Sequence, residues 1–148
     1  LSPLMQECGI EVELFWQAEA PVYLCPDLFA RALHNILQNA LQSMPDGGRL
    51  TLRTAVTNNT FCLAVADTGT GMPPEIAAKA FEPFFTTKPV GKGTGLGLST
   101  CYGIIRQHNG DISCGNRLEG GAHFTIFLPA ASSSPSALHF SLALEDVR

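Results

Sequence analysis

The chain has 148 residues, 45% hydrophobic and 15% charged, with a formal net charge of -4. That is enough apolar material for one good core and one domain, while the acidic balance excludes bulk attraction to nucleic acid or to an acidic membrane surface. No apolar run reaches the ~20 residues of a membrane span, and the opening residues do not read as a signal peptide. Five cysteines, at 8, 25, 62, 101 and 114, form neither a CxxC pair nor a metal spacing. They read as reduced, buried and structural, which suits a cytoplasmic compartment.

Residues 1–9 are poorly patterned and read as a linker arriving from something upstream, in a chain that starts without Met. Ile10 to Ala18 alternates well enough for a strand, and Val22 to Leu24 for a second short one. Pro26 to Met44 carries the strongest helical pattern. It opens with proline and aspartate and stops at Pro45 and the turn Asp46-Gly47-Gly48. At about 100° per residue, Phe29, Leu33, Ile36, Leu37, Ala40 and Met44 form one stripe, which must face a core. Asn35 and Asn39 stack four apart at the edge of that stripe, and Gln42 continues the row. Two asparagines in register on a semi-buried flank need partners for their amides. Neighbouring backbone is one choice; a shared polar ligand is the other, since a carboxamide oxygen suits a hard cation such as Mg²⁺.

Gly48 to Val56 and Thr60 to Ala66, with Asn58-Asn59 between them, read as a hairpin. Its second strand ends at Asp67, followed by Thr68-Gly69-Thr70-Gly71. A carboxyl there points an acceptor into a pocket walled by bare backbone, although Asp is common in turns and DxGxG alone is a weak signal. Asp67 to Ser99 is rich in glycine and proline yet holds a short helical stretch, PPEIAAKAF, and the anchors Phe81, Phe84 and Phe85. So long a segment reads as a lid or binding loop.

A helix is expected from about Ser99 to Asn109, stopped by Gly110, with Leu98, Cys101, Tyr102 and Ile105 on its buried face. Gly93-Thr94-Gly95-Leu96-Gly97 precedes it, and free amides at a helix start form a natural phosphate site. It is neither a P-loop, since Gly91-Lys92-Gly93 lacks the required Ser or Thr, nor a Rossmann fingerprint, since no strand leads directly into it. Asp111 to Gly115 and Ala122 to Leu128 read as a last hairpin. The order β-β-α-β-β-α-α-β-β predicts an α+β sandwich, and from Ala130 the Ala-Ser-Ser-Ser-Pro composition reads as a linker or tail.

Four blocks in this order resemble the ATP-binding catalytic domain of sensor histidine kinases, within the group that includes gyrase, Hsp90 and MutL. HNILQNALQSM (34–44) looks like that family's N box and DTGTGM (67–72) like its first glycine box. FEPFFTTK (81–88) looks like the F box and GTGLGLS (93–99) like the second glycine box. FEPFFTTK, GKGTGLGLS and YGIIRQHNG are especially similar to nitrogen-regulator-type sensor kinases. The resemblance covers roughly residues 10–129. It implies a Bergerat-type fold: a mixed, mostly antiparallel sheet covered on one face by about three helices. It also implies an ATP-binding domain over 10–130, with 1–9 leading from an upstream dimerisation domain and 131–148 a linker or tail.

The resemblance further implies a site for ATP and Mg²⁺. Asp67 would accept the adenine amino group, with Gly69, Gly71 and Met72 beside it. Asn39 would bind Mg²⁺, supported by Asn35 and Gln42. Gly93, Gly95 and Gly97, with Thr94, Leu96 and Leu98, would meet the phosphates. The intervening lid would contribute Phe81, Thr86, Thr87, Lys88 and Lys92; the two lysines are placed either to touch the γ-phosphate or to remain solvated, and Phe81 either to hinge the lid or to pack in the core. Ala122 stands where many relatives have a threonine near the adenine, which implies modest nucleotide affinity.

Asn35 decides the reaction class. Related ATPases such as gyrase place a glutamate there to activate water, and an amide cannot accept a proton near neutral pH; losing a general base typically costs ~10²- to 10⁴-fold. The pocket therefore suits holding ATP for transfer better than hydrolysing it. His34, His108, His123 and His139 are the only histidines, and none sits in an acceptor motif. The expected partners are an upstream phosphoacceptor domain in a full-length homodimer and a downstream response regulator, with no nucleic acid and no direct membrane contact by this domain. A regulatory module without transfer activity, a self-sufficient ATPase and an anti-sigma-type serine kinase share the same boxes.

Overall fold

The computed structural model describes residues 2–17, 20–83, 85, 96–131 and 138–139. Eleven elements run in the order α1 (Ser2–Glu7), β1 (Ile10–Trp16), β2 (Pro21–Val22), α2 (Pro26–Ser43), β3 (Gly48–Thr57), β4 (Thr60–Asp67), α3 (Pro74–Ala77), α4 (Gly97–Gln107), β5 (Asp111–Asn116), β6 (Ala122–Pro129) and β7 (Leu138–His139). Among the described residues a five-stranded sheet has the order β1-β3-β4-β6-β5, and β2 pairs with β7 in a separate two-stranded one.

The expected hairpins form as antiparallel pairs. Between β3 and β4 the turn residues Asn58 and Asn59 take φ of 50° and 60°, the left-handed conformation that a tight two-residue hairpin requires and asparagine tolerates better than most residues. β1 lies parallel to β3, from Ile10 against Gly48 to Trp16 against Thr54. A parallel neighbour needs a crossover, and α2 supplies it, which makes the sheet mixed.

Alternation along the strands puts one face inside. Leu50 and Leu52 of β3, Phe61, Leu63 and Val65 of β4, and Phe124, Ile126 and Leu128 of β6 are all buried. Against them pack Phe29, Leu33, Ile36, Leu37, Ala40 and Met44, the whole predicted stripe of α2, joined by Ala32 and Leu41. Cys101, Ile104 and Ile105 of α4 complete the layer. The sheet thus has one helical face, as the α+β sandwich reading requires.

Several local expectations change. Residues 2–7 are helical rather than unpatterned, and Met5, at 2% exposure, joins the core. β1 ends at Trp16, and Ala18, the end expected for it, lies outside the described residues. The stop after α4 is made by Asn109, at φ 57°, while Gly110 donates to the Ile105 carbonyl at 3.0 Å in a Schellman-type closure. Gly110 serves space rather than conformation: a Cβ there would sit 2.4 Å from the Phe127 carbonyl oxygen. All five cysteines are free, as expected, but Cys8 and Cys25 are exposed and only Cys101 is fully buried, since Cys8 and Cys25 lie in connections outside the core layers. Burial pushes the Cys101 thiol from its ordinary 9.0 up to about 12, and burial also raises Cys62 and Cys114.

Candidate functional site

Asp67 closes β4 at the rim of the sheet and is only 2% exposed. Its Oδ1 accepts two backbone bonds, from Gly69 N–H at 2.9 Å and from Ala122 N–H at 3.2 Å. The first is an Asx-type turn, which starts the glycine loop; the second ties the acid to the neighbouring strand β6. The Arg117 guanidinium donates to the Asp67 carbonyl oxygen at 3.1 Å. An acid so held cannot swing away, and a ligand donor meets an acceptor of fixed position.

The loop behind it is shaped by contacts with protein. A Cβ on Gly69 would lie 2.2 Å from Ser43 Oγ, and Thr70 N–H donates to the Ser43 carbonyl at 3.3 Å. Gly71 has φ +70°, with a hypothetical Cβ 3.0 Å from Asn116 Oδ1. Met72 is half-buried against the core. These glycines therefore let the loop seat against α2 and the β5–β6 hairpin.

On α2, Asn35 and Asn39 are half-buried, at the edge of the apolar stripe as predicted, and Gln42 is exposed. Asn35 Nδ2 donates to the Gly97 carbonyl at 2.9 Å, so its amide is engaged within the protein and links α2 to the first residue of α4. α2 is thereby tied at Asn35 to the start of α4 and at Ser43 to the glycine loop, eight residues or about 12 Å of helix rise apart. Asn39 lies between the two ties.

α4 begins at Gly97 after Leu96, with no side-chain cap. Helix geometry leaves its first N–H groups without intrahelical partners and at the positive end of the dipole. Leu98 packs against the core while Leu96 is exposed. Phe81 packs edge-on to Phe124, with centroids 6.4 Å apart, and lies 5.8 Å from the Tyr102 ring, which makes it a core anchor. Thr86, Thr87, Lys88, Lys92, Gly93, Thr94 and Gly95 lie outside the described residues.

Among the histidines, His34 is exposed and His123 half-buried. His108 is engaged at both ring nitrogens: Nε2 accepts from Cys25 N–H at 2.9 Å and Nδ1 donates to the Ile104 carbonyl at 2.7 Å. It splices the end of α4 to the start of α2, so it too is structural. Among the described residues no group of three His, Cys, Asp or Glu could hold a metal ion, and no helix is long and apolar enough to cross a membrane.

The chain thus carries a buried rim acid, a flank of carboxamides and a helix start without a side-chain cap, and residues 25–132 match the family model described as histidine kinase-, DNA gyrase B-, and HSP90-like ATPase. The chain belongs to that family. This ATPase-family domain is 45% identical over 116 residues to the sensor kinase CckA of Brucella abortus (strain 2308), covering 68% of this chain and 12% of that protein. It is similar to the catalytic domain of histidine kinase ThkA in a nucleotide-free form, with TM-score 0.76, 30% identity and coverage of 86% of this chain and 85% of that one; ThkA has also been solved with the response regulator protein TrrA. Full-length ShkA in complex with AMPPNP gives TM-score 0.76 and 29% identity over 90% of this chain and 28% of that one. The domain spans between 12% and 25% of the length of curated relatives such as CckA and sporulation kinase D of Bacillus subtilis (strain 168).

The sequence reading missed Arg117, Asn116, Gly121 and Ser43. Only Gly121, in a Gly-Gly turn, carried any signal, and that signal named a turn rather than a contact with Asp67.

Proposed function

We propose that this domain binds Mg-ATP and presents the γ-phosphate for transfer to a histidine on a separate dimerisation domain, as the catalytic part of a sensor histidine kinase. The observation that carries the reading is the Asn35–Gly97 bond. It commits the amide of Asn35 as a donor, at the position where the resemblance implies a base in hydrolytic relatives. With no proton acceptor there, water is not activated, and the domain's work is to hold the nucleotide in line for another nucleophile.

The geometry supports the following roles. Asp67 Oδ1 is occupied by two backbone donors, so the carboxyl is oriented to accept the adenine amino group through its other oxygen. The uncapped amides from Gly97 onward suit phosphate oxygens. The donor set also fits magnesium: a half-buried carboxamide at Asn39 offers one hard oxygen, and Mg²⁺ is usually held by one or two protein ligands with the rest from phosphates and water. When bound, the ion would neutralise charge on the transferred phosphoryl group. Gln42, Gly69, Gly71, Met72 and Leu98 would line or support the site, and Thr86, Thr87, Lys88, Lys92, Gly93, Thr94 and Gly95 would close over it. A response regulator would receive the phosphoryl group downstream, in a cytoplasmic setting.

The test is reconstitution. Mg-ATP is titrated into the domain, the histidine-bearing domain of its own parent protein is added, and acid-labile phosphate is measured. Binding followed by acid-labile label on that partner is the expected result. Binding with rapid turnover by the domain alone, or acid-stable label, would overturn it.

A further inference from the structure

Asn116 is the last residue of β5, exposed, and outside every box described above. Both polar atoms of its side chain bind one residue of the glycine loop. Oδ1 accepts from Met72 N–H at 2.7 Å, and Nδ2 donates to the Met72 carbonyl oxygen. A side-chain amide here replaces a strand partner, satisfying both backbone groups of a residue that belongs to no strand.

The grip does not stand alone. One residue on, Arg117 donates to the Asp67 carbonyl oxygen at 3.1 Å, and a Cβ on Gly121, at φ +88°, would lie 2.0 Å from that same oxygen. Ala122 N–H reaches Asp67 Oδ1 at 3.2 Å. The β5–β6 hairpin thus holds the segment 67–72 at both ends, at Asp67 through three residues and at Met72 through Asn116. Between the ends, Gly69 is seated on Ser43 of α2.

We infer that Asn116 is a positioning residue for purine selectivity: by fixing Met72 against the hairpin it sets the distance between the loop and the Asp67 carboxyl, and so decides which base edge fits. This rests on the Mg-ATP reading of the site. Asn116 itself touches no nucleotide in this proposal. Its effect is confined to the base end, because the asparagine flank of α2 and the start of α4 are joined by a different bond, Asn35 to Gly97.

Two measurements test it. Affinities of the wild-type domain, Asn116→Ala and Asn116→Asp for ATP and GTP are compared, with and without Mg²⁺. Losing two backbone-directed bonds of ordinary strength corresponds to about a tenfold fall in the ATP-to-GTP affinity ratio for Asn116→Ala. Asn116→Asp, which keeps the acceptor for Met72 N–H, should fall less, and the dependence of ATP affinity on Mg²⁺ should not change. A merely stabilising asparagine would lower the melting temperature and leave the base ratio intact, which would overturn the inference. Should the wild type fail to bind ATP, the site reading falls and the inference with it; should the wild type bind but the ratio hold in both variants, only the inference falls. The second measurement needs no variant: amide exchange at Met72 in the nucleotide-free wild type should be slowed, and exchange at the unprotected rate would overturn the clamp.

Discussion

The two ends of the proposed nucleotide site are built on opposite plans. At the base end Asp67 is 2% exposed, takes two N–H bonds on one oxygen and is backed by Arg117 and Gly121. At the phosphate end α4 starts without a side-chain cap at an exposed Leu96-Gly97, where Asn35 donates to the Gly97 carbonyl. The difference teaches where specificity and turnover are separated. A base is recognised by donors and acceptors at fixed positions, which favours a pre-formed site. Phosphate oxygens suit amides at a helix start, which lie at the positive end of the dipole.

The comparison can be broken most severely at Gly121. Gly121→Ala forces a Cβ into the Asp67 carbonyl oxygen at a positive φ, and a loss of about 4 kcal/mol in unfolding free energy is expected, read by urea denaturation; a loss below about 1 kcal/mol would mean the base end is not pre-formed. Next comes alkaline pH, which probes the layer beneath the phosphate end. The folded-state pKa of Cys101 is raised from 9.0 to about 12 by burial. The protonated thiol is thus favoured by folding, so its contribution is complete below pH 9 and disappears as pH climbs from 9 towards 12. Three units correspond to about 4 kcal/mol at the upper limit. Cys101→Ala, despite its lower stability near neutrality, should show a flatter decline over that range in guanidinium titrations.

Smaller effects separate the ends functionally. Asp67→Asn should retain both backbone bonds through the amide oxygen while turning the remaining acceptor into a donor. ATP affinity should drop about 100-fold, the scale of a buried mismatched hydrogen bond, and calorimetric titration giving unchanged affinity would remove Asp67 from base recognition. Asn39→Ala should weaken binding about tenfold in Mg²⁺ and hardly at all in EDTA; equal losses would make Asn39 structural. Asn35→Ala removes one bond between α2 and α4 and should cost about 1 kcal/mol, with no gain in ATP hydrolysis.

Much of this was legible in the chain. The stripe from Phe29 to Met44 is periodic because one helix face meets the sheet, and every member is buried as read. Asn58-Asn59 announced its turn because so few residues accept a left-handed backbone. What escaped was contact across distance. Asn116 binds Met72 and His108 binds Cys25 N–H over separations of 44 and 83 residues, and nothing local in either sequence neighbourhood marks such a bond. The exposed Cys8 and Cys25 were misread for the same reason: composition speaks for cysteines on average, and position relative to the layers decides each one.

By itself, then, the sequence determined the central helices and hairpins, the buried stripe of α2, the acid at a strand's end and the four blocks, because periodicity and turn chemistry are properties of neighbouring residues. The tertiary structure alone decided that Asp67 is clamped by a hairpin about fifty residues away, that Gly69 and Gly71 yield space to protein, and that Asn35 spends its amide on Gly97. Hydrogen-bond partners and close approaches depend on where the chain returns in space, and that is set by the packing of the whole core.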